Sequence, residues 1–192
     1  MTNSAATTNR PGKRERLVAA ACELVYRQGV ARTTLADIAQ AADVPVGNVY
    51  YYFKTKDDII AAVVRARADQ IESALAALER RHRSPKGRLK GLIGLLAEQA
   101  NSMAQYGCPH GTLCSELAKH TADPLAAPLM QIPLAWAEQQ FRAMGRRDAP
   151  DLAIELVSAY QGSAVLASAL AEPELMARRT RRLEKWIDAL GA

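Results

Sequence analysis

The chain has 192 residues, of which 49% are hydrophobic and 23% charged, and its formal net charge at pH 7 is +5. This apolar fraction supports a folded core and excludes wholesale disorder, and no apolar run approaches the roughly 20 residues of a membrane span. The polar N-terminus has no apolar region of a secretory signal, and the three cysteines do not resemble a disulfide framework. We therefore expect a protein of the reducing cytoplasm.

The positive charge is concentrated near the N-terminus. Residues 1–56 contain eight Lys and Arg against four Asp and Glu, whereas residues 57–192 contain 17 against 16. A local excess of positive charge favours contact with nucleic acid or another anionic surface, although the net value alone is weak evidence.

The sequence predicts an all-α fold of about nine helices, because alanine and leucine dominate and strict apolar/polar alternation is absent. We expect a disordered tail over residues 1–12, a DNA-binding domain over 13–55 and a larger helical body over 56–192. The first helix covers 13–28 and ends at Gly29. Two short helices follow over 35–42 and 46–53. Thr34 and Asp37 form a capping box before the first of them.

The body begins with a long helix over roughly residues 56–82, which Thr55 and Asp58 cap. Ser84 and Pro85 open a fifth helix that ends before Gly107. The remaining helices are predicted over about 112–120, 123–145, 148–171 and 173–190. Pro133 lies inside the seventh helix, where it is expected to bend the helix and to free the Leu129 carbonyl.

The two short helices and the helix before them form a helix-turn-helix pattern. Neither short helix is stable alone, so each must bury apolar residues against the first helix. The remaining face of the second short helix is polar and aromatic and has no charge. Such a face suits a DNA major groove, where an acidic group would be repelled. The residues of this face are Val46, Gly47, Asn48, Tyr51 and Tyr52.

Residues 33–56 resemble the DNA-binding signature of the TetR/AcrR family of transcriptional regulators. The resemblance implies three DNA-reading helices and about six more that hold a ligand pocket and a dimer interface. It implies phosphate contacts for Thr33, Thr34 and Lys56. The resemblance also implies contacts to bases or backbone for the recognition helix, at Val46, Gly47, Asn48, Tyr50 and Tyr51. The chain differs from the family in having Asp43 where glycine is frequent; aspartate tolerates the left-handed conformation of such a turn.

The helical body is expected to hold a small-molecule cavity with apolar walls and a few polar groups. The predicted ligand-binding residues are Met103, Cys108, His110, Cys114, Trp136, Gln140, Phe141 and Tyr160, with Asn101 and Gln161 as further candidates. Several of them equally fit a plain apolar core. No cofactor and no structural metal is predicted.

Residues 107–117 are weakly similar to a segment of the LmrA/YxaF-like branch of the family. In one interpretation Gly107 and Pro109 form a turn and the cysteines are small core residues. In a second, Cys108 or Cys114 is a reactive thiol activated by His110 or a helix N-terminus. In a third, the three side chains bind a metal, although their spacing is not a standard zinc pattern.

The resemblance implies a dimer interface made by the last two helices. Small residues on the first of them permit close helix approach, although they equally fit packing within the subunit. Ala164, Ser168, Leu183 and Trp186 are the predicted contacts. The sequence thus predicts a homodimeric repressor that a small effector releases from a palindromic operator, with thiol or metal sensing through Cys108, His110 and Cys114 as the alternative. Cys108 or Cys114 with His110 as base would make a catalytic pair, but no orienting acid has a matching spacing, so no enzyme is expected.

Overall fold

The computed structural model describes residues 11–119 and 124–191, and this part of the chain is helical without any strand. The predicted all-α class is therefore confirmed. Gln99 interrupts the predicted fifth helix, so ten helical segments are present in the described ranges. The segments are α1 (Lys13–Arg32), α2 (Leu35–Ala41), α3 (Val46–Tyr52), α4 (Lys56–Arg81), α5 (Pro85–Glu98), α6 (Ala100–Tyr106), α7 (Pro109–Leu117), α8 (Pro128–Ala143), α9 (Ala149–Leu170) and α10 (Glu174–Ala189).

Two sequence predictions fall partly outside the described residues. Most of the predicted tail over 1–12 lies there, as do His120 and Asp123 at the predicted ends of two helices. The chain divides into two compact units, one that ends at Val63 and one that begins at Val64.

The first unit is built on α1, α2 and α3, with α1 packed on α2 and α2 on α3. Its core is formed by apolar residues with little or no exposed surface, namely Leu17, Ala21, Val25, Ile38, Ala39, Val44, Val49, Phe53, Ile59 and Ile60. The regular part of α1 ends at Gly29, whose φ of 83° is in the left-handed region that glycine adopts without strain. The predicted helix end is therefore correct, and one further turn leads to α2.

Two side-chain arrangements fix the helix-turn-helix. Thr34 Oγ1 accepts a hydrogen bond from the Asp37 amide at 3.1 Å, and the Asp37 carboxylate accepts from the Thr34 amide at 2.9 Å. This is the predicted capping box, and hydrogen bonds from Thr34 hold the pKa of Asp37 below its ordinary value. The turn itself is made by Asp43 with φ 52°.

In the second unit, α8 packs on α9, and α10 packs on both α5 and α9. The fully buried residues of these contacts include Leu89, Ile93, Leu129, Phe141 and Ile187. The outer face of α10 is basic and exposed at Arg178, Arg181, Arg182 and Lys185, as expected for a solvated face.

Within the described ranges, α9 is the helix that is long and apolar enough to cross a membrane by length and composition alone. The sequence reasoning did not anticipate this result. A core helix passes the same test, and α9 buries Leu152, Leu156, Tyr160, Ala164 and Ala167 within its unit. Its other side leaves apolar side chains exposed.

Candidate nucleic-acid interface and ligand cavity

The outer face of α3 is exposed, aromatic and uncharged. Tyr51 is 78% exposed, Tyr50 51% and Val46 46%, whereas Val49 on the opposite side is fully buried. Gly47 is exposed and Asn48 is half-buried. The Tyr51 and Tyr52 rings meet edge to face with their centroids 5.0 Å apart, so that the aromatic surface is held in one arrangement.

The two neighbouring threonines have different environments. Thr33 is fully buried, and its hydroxyl donates to the Gly29 carbonyl oxygen at 2.7 Å. The Thr33 side chain therefore does not reach the surface where its predicted phosphate contact would be made. Thr34 is exposed at the N-terminus of α2. The sequence pattern places both residues at the helix start but does not distinguish the inward side chain from the outward one.

Cationic side chains lie at the edges of the α3 face. Lys54 Nζ donates to the Tyr50 carbonyl oxygen at 2.8 Å, and Lys56 Nζ donates to the Ala31 carbonyl oxygen at 3.3 Å. The guanidinium of Arg14 lies 5.4 Å from the centroid of the buried Phe53 ring. We call the exposed α3 side chains and these three cations the α3 surface. It combines an uncharged centre with positive edges.

The second unit contains a cavity of about 230 Å³ between α4, α5, α7, α8 and α9. Its walls are mostly aliphatic, for example Ile71, Leu92, Leu96, Leu129 and Leu156. The polar lining residues are Arg67, Gln70, Gln99, His110, Tyr160 and Gln161. Pro133 also lines the cavity, and α8 continues as one helix through it.

Of the eight predicted ligand-binding residues, His110 and Tyr160 line this cavity, together with the further candidate Gln161. Met103 contacts the cavity wall from outside, because its sulfur accepts a hydrogen bond from the hydroxyl of the lining residue Tyr160 at 3.0 Å. Burial lowers the pKa of His110 to about 4, with a smaller contribution from the positive charge of Arg67. His110 is therefore neutral at pH 7. Arg67 and Gln70 on α4 were not predicted, because the long α4 pattern alone does not reveal which turn faces a void.

Trp136, Gln140 and Phe141 do not line the cavity, which corrects their prediction. Trp136 Nε1 donates to Glu79 Oε1 at 2.8 Å, and the buried Gln140 accepts from Arg88 at 3.3 Å. The Phe141 ring packs against Trp186 with centroids 5.9 Å apart. These residues lie one to two turns beyond Pro133, and an α-helix rises about 1.5 Å per residue. Helical spacing identified their inward side but not their distance from the void.

Cys108 and Cys114 line a different feature, an open groove of about 640 Å³ between α7 and α9. Cys108 caps α7 and is buried, with its sulfur accepting the Gly111 amide at 3.4 Å, and Gly107 before it has φ 79°. This geometry agrees with the turn-and-core interpretation of residues 107–117. Burial and the nearby Cys108 raise the pKa of Cys114, which disfavours a thiolate.

Cys108 and Cys114 line the groove and His110 lines the cavity, and Met130 and Gln161 line both. Across residues 11–119 and 124–191, no cluster of three or more His, Cys, Asp and Glu is placed to hold a metal.

The predicted dimer contacts are mostly internal. Ala164 is fully buried and Leu183 is 5% exposed within the unit. Trp186 is half-buried against Phe141, and Ser168 lines the groove. The exposed apolar residues of α9 are Ile154, Val165, Leu166 and Leu170, each more than half exposed. Both sides of α9 are apolar, so sequence spacing does not distinguish its buried side from its exposed one.

Comparisons with known proteins agree with this geometry. The sequence model of the bacterial regulatory proteins of the tetR family matches residues 17–63. An uncharacterized HTH-type transcriptional regulator from the lacX 3' region of Lactococcus lactis subsp. lactis is 29% identical over 121 residues, which are 62% of this chain and 61% of that protein. TtgR of Pseudomonas putida is 43% identical over 51 residues, 27% of this chain and 24% of TtgR. Both relatives are thus matched over less than two thirds of their length.

The fold extends further than the sequence likeness. A TetR transcriptional regulator from Legionella pneumophila superposes with a TM-score of 0.83 at 19% identity, over 96% of this chain and 100% of that one. The α3 surface and these matches define a helix-turn-helix regulator. Residues 17–63 of this chain match the tetR family of bacterial regulatory proteins, in agreement with the resemblance of residues 33–56. These relatives are named as transcriptional regulators and not as enzymes, which agrees with the predicted class of function.

Proposed function

We propose that this chain is a homodimeric repressor of the cytoplasm that binds a palindromic operator and is released by a small effector. The observation that carries the proposal is the α3 surface, whose uncharged aromatic centre is bordered by cations. An uncharged face enters the major groove without repulsion from phosphates, while the cations at its edges face the backbone.

Each part of the α3 surface has a proposed role. Val46, Gly47 and Asn48 face bases, and Tyr50 and Tyr51 contact bases or backbone. Lys56 leaves the Ala31 carbonyl to bind phosphate, and Thr34 contacts phosphate beside it. Thr33 acts indirectly, because its buried hydroxyl holds the segment that positions Thr34.

The effector is proposed to bind in the 230 Å³ cavity rather than in the open groove. The cavity has mostly apolar walls and a few polar groups, which is typical of ligand sites. Five of its lining residues lie on α4, the helix that begins at Lys56. A ligand that contacts α4 and changes its position would alter the geometry of DNA reading.

The dimer is proposed to form through the exposed apolar side of α9. Ile154, Val165, Leu166 and Leu170 are large exposed hydrophobic residues on one helix, and such patches mark interaction surfaces. A two-fold axis at this face pairs two copies of α3 with the two half-sites of a palindrome.

The test begins with selection of bound sequences from random double-stranded DNA by the full chain. Tyr51→Ala should weaken binding to the selected operator by about 10-fold, the loss of one good base or backbone contact. Lys56→Gln should reduce the slope of log affinity against log salt by about one. Lys185→Gln, which makes the same charge change on the exposed face of α10, should bind like the parent.

Two results would contradict the proposal. One is that no sequence is enriched from random DNA. The other is that Tyr51→Ala and Lys56→Gln both bind the selected operator with the parent's affinity and salt slope while they remain folded by circular dichroism.

A further inference from the structure

The polar groups of the cavity are positively biased. Arg67 is charged, and none of the described residues that line the cavity is Asp or Glu. The walls around the polar side are aliphatic. A ligand that fills the cavity therefore meets apolar surface over most of its body and a single guanidinium, that of Arg67.

Arg67 lines the cavity from α4, and its hydrogen bond to Gln70 is exposed to solvent. It is half-buried, and its Nη1 donates to Gln70 Oε1 at 3.2 Å, one turn further along α4. A guanidinium has five N–H donors in a planar fork, and the spacing of this fork matches the two oxygens of a carboxylate. Arg65, two residues earlier, is exposed and does not line the cavity.

His110 lines the same cavity and has a lowered pKa. Burial of the imidazole lowers its pKa first, and the positive charge of Arg67 lowers it further, to about 4. At pH 7 the ring is neutral and offers one N–H donor and one acceptor. The positive charge of Arg67, which opposes a proton on His110, also opposes a cationic ligand and favours an anionic one.

We propose that the effector is a small weak acid, with an apolar body against the aliphatic walls and a carboxylate held by Arg67. This inference depends on the proposed role of the cavity as the effector site. The volume of about 230 Å³ lies below the roughly 300–1,000 Å³ of sites for drug-sized ligands, so the acid is of the size of a simple aromatic or short aliphatic compound.

The experiment measures binding of matched probes to the full chain by isothermal titration calorimetry. One set is benzoate, benzyl alcohol and benzylamine, and the second is hexanoate, 1-hexanol and hexylamine. Within each set the apolar body is nearly constant and the head group is anionic, neutral or cationic. We expect the carboxylate to bind at least about 10-fold more tightly than the alcohol, and the amine to bind least, since hydrogen bonds to charged groups are the stronger ones.

Variants then assign the effect to Arg67. Arg67→Gln should weaken carboxylate binding by about 10- to 100-fold and leave alcohol binding nearly unchanged. Arg67→Lys should retain part of the affinity, because it keeps the charge without the fork. Arg65→Gln is the matched control and should bind every probe like the parent. Thermal melts of all variants verify that the fold is retained.

The outcomes separate this inference from the proposed function. If alcohols or amines bind as tightly as carboxylates, or if Arg67→Gln binds carboxylates like the parent, the weak-acid class is overturned while the cavity remains a ligand site. If no probe binds at millimolar concentration, the effector role of the cavity is overturned as well. Operator binding, measured without any probe, decides the DNA-binding proposal independently.

Discussion

Arg16 on α1 donates from Nη1 to the carbonyl oxygen of Asp43 at 3.1 Å, and Asp43 is the left-handed residue of the helix-turn-helix. The same nitrogen lies 2.9 Å from the Ala42 carbonyl oxygen and 3.6 Å from Oδ2 of Asp43. Both carbonyls belong to the end of α2, where intrahelical partners run out. The Arg16 side chain therefore supplies the hydrogen-bond donor for both carbonyl oxygens and ties the turn before α3 to α1.

Replacing Arg16 should destabilise the first unit. Arg16→Met retains much of the apolar stem but removes the donors, so we expect the free energy of unfolding to fall by about 1–2 kcal/mol. Arg27→Met, which removes an exposed ion pair with Glu23 on the same helix, should cost less than about 0.5 kcal/mol. Urea unfolding followed by circular dichroism compares the two, and equal losses would show that the turn does not depend on Arg16.

Substitutions at Asp43 test the conformation of the turn. A residue with a Cβ that lacks a local polar partner is strained at φ 52°, so Asp43→Ala should cost about 1 kcal/mol. Asp43→Gly should change stability by less than about 0.5 kcal/mol, because relief of strain offsets the greater flexibility of the unfolded chain. The same unfolding measurement distinguishes the variants, and indistinguishable Ala and Gly values would contradict this explanation.

The sequence predicts the first unit well because its signals are local. The Thr34–Asp37 capping box, the end of α1 at Gly29 and the turn at Asp43 each depend on residues only a few positions apart. The orientation of Thr33 is different, because it depends on packing against α1 rather than on helix signals. Its hydroxyl is buried and committed to the Gly29 carbonyl oxygen.

Thr33→Val should therefore act on stability and not on phosphate binding. The substitution keeps the shape but leaves the Gly29 carbonyl without its donor, at a cost of about 1–2 kcal/mol. Affinity of the folded variant for its operator at a fixed salt concentration should equal that of the parent. Equilibrium binding of both proteins to the selected operator checks this. An affinity about 10-fold weaker, the loss of one hydrogen bond to a charged group, would return Thr33 to the phosphate-contacting set.

The sequence predicts the cavity only in part, because a void depends on how helices of different parts of the chain meet. Residue type predicts His110 and Tyr160 as ligand-binding residues, and both line the cavity. Arg67 was missed on α4, and Trp136 and Phe141 were placed at the void although they pack elsewhere. Helical periodicity gives the inward side of each residue but not its position along the bundle.

His110 should make stability depend on pH. Its pKa of about 4 in the folded state is below the roughly 6.5 of an unfolded chain. The unfolded state then binds more protons between these values, so stability is complete above pH 6.5 and falls as the pH is lowered towards 4. The loss attributable to His110 is about 2–3 kcal/mol. His110→Gln should flatten this part of the pH profile, measured by urea unfolding at each pH. Parallel profiles for the parent and the variant would contradict the assignment.

The exposed side of α9 should control the oligomeric state. Val165 is 66% exposed and Leu170 is 57% exposed. In a two-fold interface both subunits use the same surface patch, so a substitution there changes the contact twice. Val165→Glu and Leu170→Glu bring charge into that apolar contact, so each should raise the dimer dissociation constant by about 10-fold or more. Sedimentation velocity over a concentration series measures this constant.

Ala135→Glu, on the exposed side of α8, adds the same charge away from α9, and its dimer should dissociate like that of the parent. A dimer that resists both α9 substitutions but dissociates with Ala135→Glu would place the interface on α8 instead.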